Sequence, residues 1–169
     1  MEHIAPPDRI DRAKRVLESY LRERGLRVTR QRVAILEAFL AEHGHVSVEE
    51  LYARIRRDHP TIGYATVYRS MALFARAGIA KERRFHEGRV RYEPGIGVDH
   101  HDHLVCLHCG QILEFEEPRI ERLQEEIARS RGFRVAFHRL ELYGLCPRCQ
   151  GDEKFFEKGV DTAGSRGYK

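Results

Sequence analysis

Apolar positions recur every three to four residues through the first 78 positions and at shorter, strand-like intervals afterwards, so helices are expected first and strands later. In "DRIDRAKRVLESYLRERG", Ile10, Ala13, Val16, Leu17 and Leu21 form one stripe, which predicts a helix over about 8–24 stopped by Gly25. A second helix is expected after Thr29 as N-cap, with Val33, Leu36 and Leu40 on one face and Gly44 beyond its end. The third carries a double start signal. Ser47 with Glu50 three residues later forms a capping box, and Val46 can pack on Leu51 as a hydrophobic staple. "TIGYATVYRSMALFARAG" predicts a fourth helix, stopped at Gly78.

The fourth helix divides into unlike faces. At 100° per residue, Val67, Met71 and Phe74 point one way, while Ala65, Arg69, Ala72 and Arg76 point the other and Tyr68 sits on the flank. A solvated basic face is the plain explanation of those arginines. The next segment favours another: "GIAKERRFHEGRVRYE" reads as two short strands around "HEGR". Helix, helix and basic hairpin make a winged helix-turn-helix, with the fourth helix placed to enter a major groove.

From about Pro94 the pattern changes. "PGIGVD" reads as a linker and "HLVCLHCGQILEF" as two strands around a cysteine turn. A helix opened by Pro118 comes next, with Ile120, Leu123 and Ile127 inward and Gly132 at its end, and "FRVAFHRLELYGLC" closes with a third strand. The fold class expected is α+β: a DNA-binding domain over residues 1–92, a hinge over 93–98, and a small α/β domain over 99–150. The last is thin on core and gains from a metal staple and from pairing with a second copy. The polar tail over 151–169 is expected to be disordered.

Composition narrows the class. Charged residues make up 33% of the 169 and hydrophobic ones 41%, as in a soluble folded protein. No apolar run reaches the roughly 20 residues that span a bilayer, and "MEHIAPPDRI" lacks the apolar stretch of a signal peptide, so a cytoplasmic protein without a membrane partner is expected. The net charge of +4 is uneven: residues 1–92 hold 19 Lys+Arg against 12 Asp+Glu, residues 93–169 hold 11 against 14. The basic half is the one that carries the helix-turn-helix.

The chemistry crowds the other half. All four cysteines fall in two C-x-x-C pairs, Cys106/Cys109 and Cys146/Cys149. A disulfide framework suits secreted chains; two such knuckles meeting from distant parts of a small domain make a tetrahedral thiolate cage for structural zinc, with no position left open for catalysis. Next to the first pair stands "HHDH". If residues 99–105 run extended, His101 and His103 share one side and His100 and Asp102 the other, so one segment seeds two metal sites. His3, His43, His59, His86 and His108 lack such company and are expected to be solvated.

With these motifs the sequence resembles the ferric uptake regulator family of bacterial metal-dependent repressors. The resemblance runs from about Leu26 to Cys149 through "LRVTRQRVAILEAF", "HVSVEELY", "IGYATVYR", "HHDHLVCLHCGQILEFE" and "YGLCPRC". It implies an N-terminal winged helix, a C-terminal dimerisation domain, and a homodimer that binds a palindromic double-stranded operator when its sensory metal is bound. It places a regulatory site on His45, Glu93, His101 and His103, with Glu114 nearby, and a second site on His100, Asp102, Glu121 and His138. Cys106, Cys109, Cys146 and Cys149 match the structural zinc cage. Tyr68 and Arg69 match the recognition helix, where Ala65, Thr66 and Arg76 are also expected at the DNA, and Arg27 matches a basic residue that reaches the minor groove. Two departures stand out: the first helix is long, and Arg83 and Arg84 occupy a stretch where some members carry a histidine.

Within the family, peroxide-sensing relatives use aspartate where this chain has Glu93 and Glu114, and zinc-sensing relatives bring a cysteine to the regulatory site, whereas the cysteines here are committed to the cage. Haem-sensing relatives often lack the cage. Iron(II) is therefore the expected regulatory metal, with manganese, nickel or zinc as alternatives. Two other classes compete. A zinc hydrolase would also cluster His and Asp, but H-E-x-x-H and a Gly-rich phosphate loop are missing, so no enzyme is expected. A plain zinc-ribbon interaction module would leave the basic winged helix unexplained.

Overall fold

The computed structural model describes residues 7–42, 44–85, 90–98 and 100–151. The chain divides into two compact units, one ending at residue 99 and the other beginning at His100.

The first unit holds α1 (Pro7–Glu23), α2 (Arg30–Leu40), α3 (Val48–Asp58), α4 (Tyr64–Arg76), β1 (Ala80–Arg84) and β2 (Val90–Pro94). Its core gathers Ala13, Leu17 and Leu21 of α1 with Leu51 and Ile55 of α3 and Val67, Met71 and Phe74 of α4. The buried residues of α2 are Ile35, Leu36, Phe39 and Leu40, whereas Val33 is only half-buried. The narrow stripe expected there is wider and rotated, because α2 meets α1 as well as α3 and α4. The helix starts hold as read: Thr29 Oγ1 accepts from the Arg32 N–H at 3.3 Å, and the Ser47 box is complete, at 3.2 Å from the Glu50 N–H to Ser47 Oγ and 2.8 Å from the Ser47 N–H to Glu50 Oε2.

Strands β1 and β2 pair antiparallel, Lys81 facing Glu93 and Arg83 facing Arg91. The "HEGR" turn lies outside the described residues, so the hairpin is seen from its base. Val46 extends it, exchanging hydrogen bonds of 2.9 and 2.8 Å with Tyr92. Part of the expected hinge is built in. Glu93 and Pro94 belong to β2, the Gly95 N–H donates to Ile79 O at 2.8 Å, and Ile96 is buried in the core. A Cβ on Gly95 would stand 2.7 Å from Gly78 O, closer than any side chain tolerates, so glycine is what lets this segment lie against the strand.

The second unit holds β3 (Asp102–Cys106), β4 (Ile112–Phe115), α5 (Pro118–Ser130) and β5 (Glu141–Gly144), in sheet order β4-β3-β5 with β4 antiparallel and β5 parallel to β3. Pro118 opens α5 behind Glu117, whose side chain accepts from the Arg119 N–H at 3.1 Å. Two expectations are corrected here. Leu123 and Ile127, expected inward, are 55% and 47% exposed, Ile120 is only half-buried, and α5 has no buried residue. The third strand is shorter than the run that predicted it, since only 141–144 pair while 133–140 join no strand. The first follows because this unit has too few layers to cover the apolar faces it makes, and the second because β3, the partner of β5, begins at Asp102 and pairs with it only from His103 to Cys106.

Candidate metal centres and nucleic-acid face

The two C-x-x-C pairs are brought to one place because each turn follows the C-terminal end of one of two paired parallel strands, β3 ending at Cys106 and β5 at Gly144. The first closes through Gly110 N–H to Cys106 O at 2.9 Å with Gly110 at φ 71°, and the second through Cys149 N–H to Cys146 O at 2.8 Å. The four Sγ atoms lie within 4.8 Å of one another, and Cys109 Sγ stands 3.8 Å from Cys146 Sγ. That is too long for a disulfide and matches the edge, about 3.8 Å, of a tetrahedron whose centre lies about 2.3 Å from each sulfur. Burial pushes the Cys106 thiol up, but the N–H groups of Cys109, Cys146 and His108 outweigh it and bring the group down to about 6. Desolvation and the neighbouring thiols push Cys149 up to about 12. One sulfur is thus already a thiolate at neutral pH, and the donor set fits a zinc ion.

The histidines fall into the two expected sets, although β3 begins at Asp102 and His100 and His101 precede it. On one side of the segment, His100 Nε2 stands 3.3 Å from Asp102 Oδ1 and 3.7 Å from Glu121 Oε1, while His138 Nε2 stands 3.2 Å from Glu121 Oε2 and 3.8 Å from Asp102 Oδ1. Both Asp102 oxygens, Glu121 Oε1 and His138 Nε2 are buried without a hydrogen bond. Buried polar atoms are rarely left so, and four converging acceptors point to a cation between them. On the other side, the His101 and His103 rings meet edge-on at 5.1 Å, and Glu114, opposite His103 in the register, brings Oε1 to 3.8 Å from His101 Nε2.

In the first unit, His45 Nε2 and Glu93 Oε2 are 2.8 Å apart, with the two side chains 2% and 1% exposed. The Val46–Tyr92 bridge fixes this pair, since His45 precedes Val46 and Glu93 follows Tyr92. Imidazole and carboxylate are the donor types that iron(II), manganese(II) and zinc(II) accept, and they fit a divalent ion. Of the histidines expected to be solvated, His59 and His108 are exposed and His3, His43 and His86 lie outside the described residues.

The outer face of α4 is open. Ala65, Tyr68, Arg69 and Arg76 are exposed and Thr66 is half-buried, its carbonyl accepting from Ser70 Oγ at 2.7 Å. Arg27 is exposed in the turn before α2, where its carbonyl takes the Arg32 guanidinium at 2.5 Å.

Three side chains carry contacts that no sequence motif announced. Arg91 donates to the Glu50 carboxylate through both Nη atoms at 3.0 and 3.2 Å and to His45 O at 3.0 Å, which ties the capping box of α3 to the strand that carries Glu93. Arg83 donates to Glu93 Oε1 through Nε and Nη2, at 2.9 and 2.8 Å. Glu141, opposite His103 across β3 and β5, takes the Tyr143 hydroxyl on one oxygen and has Arg139 Nε at 3.3 Å from the other. The only local signal for the first two was same-face placement two residues apart on a hairpin; none marked Glu141.

A small α+β chain with a thiolate cage, imidazole–carboxylate clusters and an open basic helix has the make-up of a metal-dependent DNA-binding regulator. Residues 23–143 match the family model for the ferric uptake regulator family. A ferric uptake regulation protein of Rhizobium leguminosarum bv. viciae is 47% identical over 131 residues, which cover 78% of this chain and 92% of that protein. The structure of the Helicobacter pylori ferric uptake regulator, described as revealing three functional metal binding sites, superposes with a TM-score of 0.78 at 26% identity over 90% of this chain and 99% of that one. A zinc-bound manganese uptake regulator superposes at 0.63 with 46% identity, over 78% and 98%. The chain belongs to the ferric uptake regulator family of metal-responsive regulators, which bind DNA and form dimers.

Proposed function

We propose that this protein is a sequence-specific repressor that works in the cytoplasm as a homodimer, binds a palindromic operator when its regulatory ion is bound, and controls metal-uptake genes. The observation that carries the reading is the buried His45–Glu93 pair, a set of metal-ligand types tied through Arg91 to the capping box of the helix that precedes the recognition helix. His45 and Glu93 from the first unit, with His101, His103 and Glu114 from the second, hold one divalent ion. Once bound, the ion supplies a bond between the two units. His100, Asp102, Glu121 and His138 hold a second ion, and the four cysteines hold zinc. Three donor sets parallel the three metal sites described for the Helicobacter pylori protein.

Joining the units narrows the range of separations between the two recognition helices of a dimer. The state selected spaces them about 34–36 Å apart, for successive major grooves on one side of the duplex. Ion and operator then strengthen each other's binding by the same factor. Ala65, Thr66, Tyr68, Arg69 and Arg76 meet the major groove and Arg27 the minor one. The dimer forms through the second unit, where Leu104 lies between Leu113 and Leu142 in register and all three are exposed, with Phe133 and Phe137 exposed at 74% and 89%. We assign it no enzymatic activity, because the family is one of regulators and four thiolates leave a zinc ion no open position.

Iron(II) is the regulatory ion of this reading. Manganese(II) is the second, because the ferric and manganese uptake regulators are similar to this chain to nearly the same degree, 47% and 46%. Such sites bind zinc(II) more tightly than either, so availability decides with geometry. The test is anaerobic titration of zinc-loaded protein with Fe(II), Mn(II) and Ni(II) while operator binding is followed by mobility shift. Metal-dependent retardation, lost in Arg69→Ala with metal content unchanged, is expected; an operator affinity indifferent to every ion refutes the reading.

A further inference from the structure

The Glu93 carboxylate is 1% exposed, and each of its oxygens already faces nitrogen. Oε2 meets His45 Nε2 at 2.8 Å. Oε1 takes two hydrogen bonds from one guanidinium, Arg83 Nε at 2.9 Å and Nη2 at 2.8 Å, with Lys81 Nζ at 3.9 Å behind them. The register explains the arrangement: Lys81 faces Glu93 and Arg83 faces Arg91, so all four side chains rise from one face of the hairpin, and Arg83 reaches Glu93 along the diagonal. Arg91 turns away to Glu50, and Arg83 is the guanidinium that hydrogen-bonds Glu93 among the described residues.

We infer that Arg83 is a resident counter-cation of Glu93 that weakens the hold of the regulatory site on its ion and so sets the ion concentration at which the protein responds. The inference rests on the proposed role of Glu93 as a ligand. Three physical effects act in one direction. A buried carboxylate without a partner is costly, and Arg83 removes that cost in the metal-free protein, so less is gained when an ion arrives. A guanidinium stays charged at any working pH, and its charge sits across one carboxyl group from the incoming cation, where the two repel. With Oε1 held by Arg83, Glu93 offers the ion one oxygen rather than two.

The experiment uses full-length protein with its cysteine zinc in place and Mn(II) as the probe, titrated anaerobically with the free ion read by its electron paramagnetic resonance signal. Arg83→Gln should bind Mn(II) at least about tenfold more tightly than wild type, since it removes a repelling charge and frees an oxygen. Its metal-free form should melt lower than wild type, and Mn(II) should raise its Tm by more than it raises that of the wild type. Arg83→Lys keeps the charge and should stay within about threefold of wild type, and it decides the matter if Arg83→Gln does not fold without an ion. Unchanged or weaker Mn(II) binding in folded Arg83→Gln overturns the inference, as does an Arg83→Lys affinity tenfold away from wild type. Failure of the underlying reading looks different: Glu93→Gln would then bind Mn(II) as the wild type does, and Glu93 would not be a ligand at all.

Discussion

At the scale of single residues, neighbours only a few ångströms apart give like groups unlike jobs. Cys106 is held down to about 6 while Cys149 is pushed up to about 12, within one cage. Against a free thiol near about 8.5, the depressed Cys106 value stabilises the metal-free fold fully above that pH, and the contribution is lost as pH falls through about 6. Zinc loading at pH 7 should therefore release fewer than four protons, because the Cys106 proton has already gone. Calorimetric titration in buffers of different ionisation enthalpy counts them, and a count of four would show Cys106 to be an ordinary thiol. The histidines divide by side of the strand. His101→Ala should abolish metal-dependent operator binding and leave one zinc per chain, whereas Asp102→Ala should lower stability more than metal response. The reverse pattern in a mobility-shift titration would mean that the two sites have exchanged roles.

At the scale of elements, α3 shows how a local signal acquires a distant role. Ser47 and Glu50 close the capping box that their spacing announced, and the Glu50 carboxylate then receives Arg91, which also holds His45 O. Ser47→Ala should cost about 1 kcal/mol in denaturant unfolding, the usual worth of such a cap. A cost near zero would mean that Arg91 and Glu50 hold the start of the helix without the serine.

At the scale of the whole molecule, the second unit has apolar surface that its own fold does not cover. Leu104, Leu113 and Leu142 share one sheet face at 41%, 54% and 44% exposure, and α5 presents Leu123 and Ile127. Contiguous exposed leucines of this kind mark an interface. Leu113→Glu should turn the proposed dimer into a monomer in sedimentation analysis while the cysteine zinc stays bound. A variant that remains dimeric with wild-type affinity would take this face out of the interface.

What could be read directly from the sequence was set by short-range rules. Thr29, Ser47 and Glu50 start their helices by bonds to groups three residues away, Gly25 and Gly78 take the positive φ that ends others, and the alternation of His100, His101, Asp102 and His103 follows from an extended segment leading into β3. Two C-x-x-C pairs likewise announced a cage, because thiolates at that spacing fit one metal and little else. Glu121 and His138 had no such signal; the resemblance alone named them, and the course of α5 and of the chain after it decides that they reach Asp102. Arg83 on Glu93 depends on the pairing register of two strands, and Arg91 on Glu50 and Gly95 against Gly78 O depend on how that hairpin lies over helices. The same limit explains the misread α5. An apolar stripe shows that a helix has a face to bury, but whether its own unit or another surface covers that face is a property of layers, and only the tertiary structure counts them.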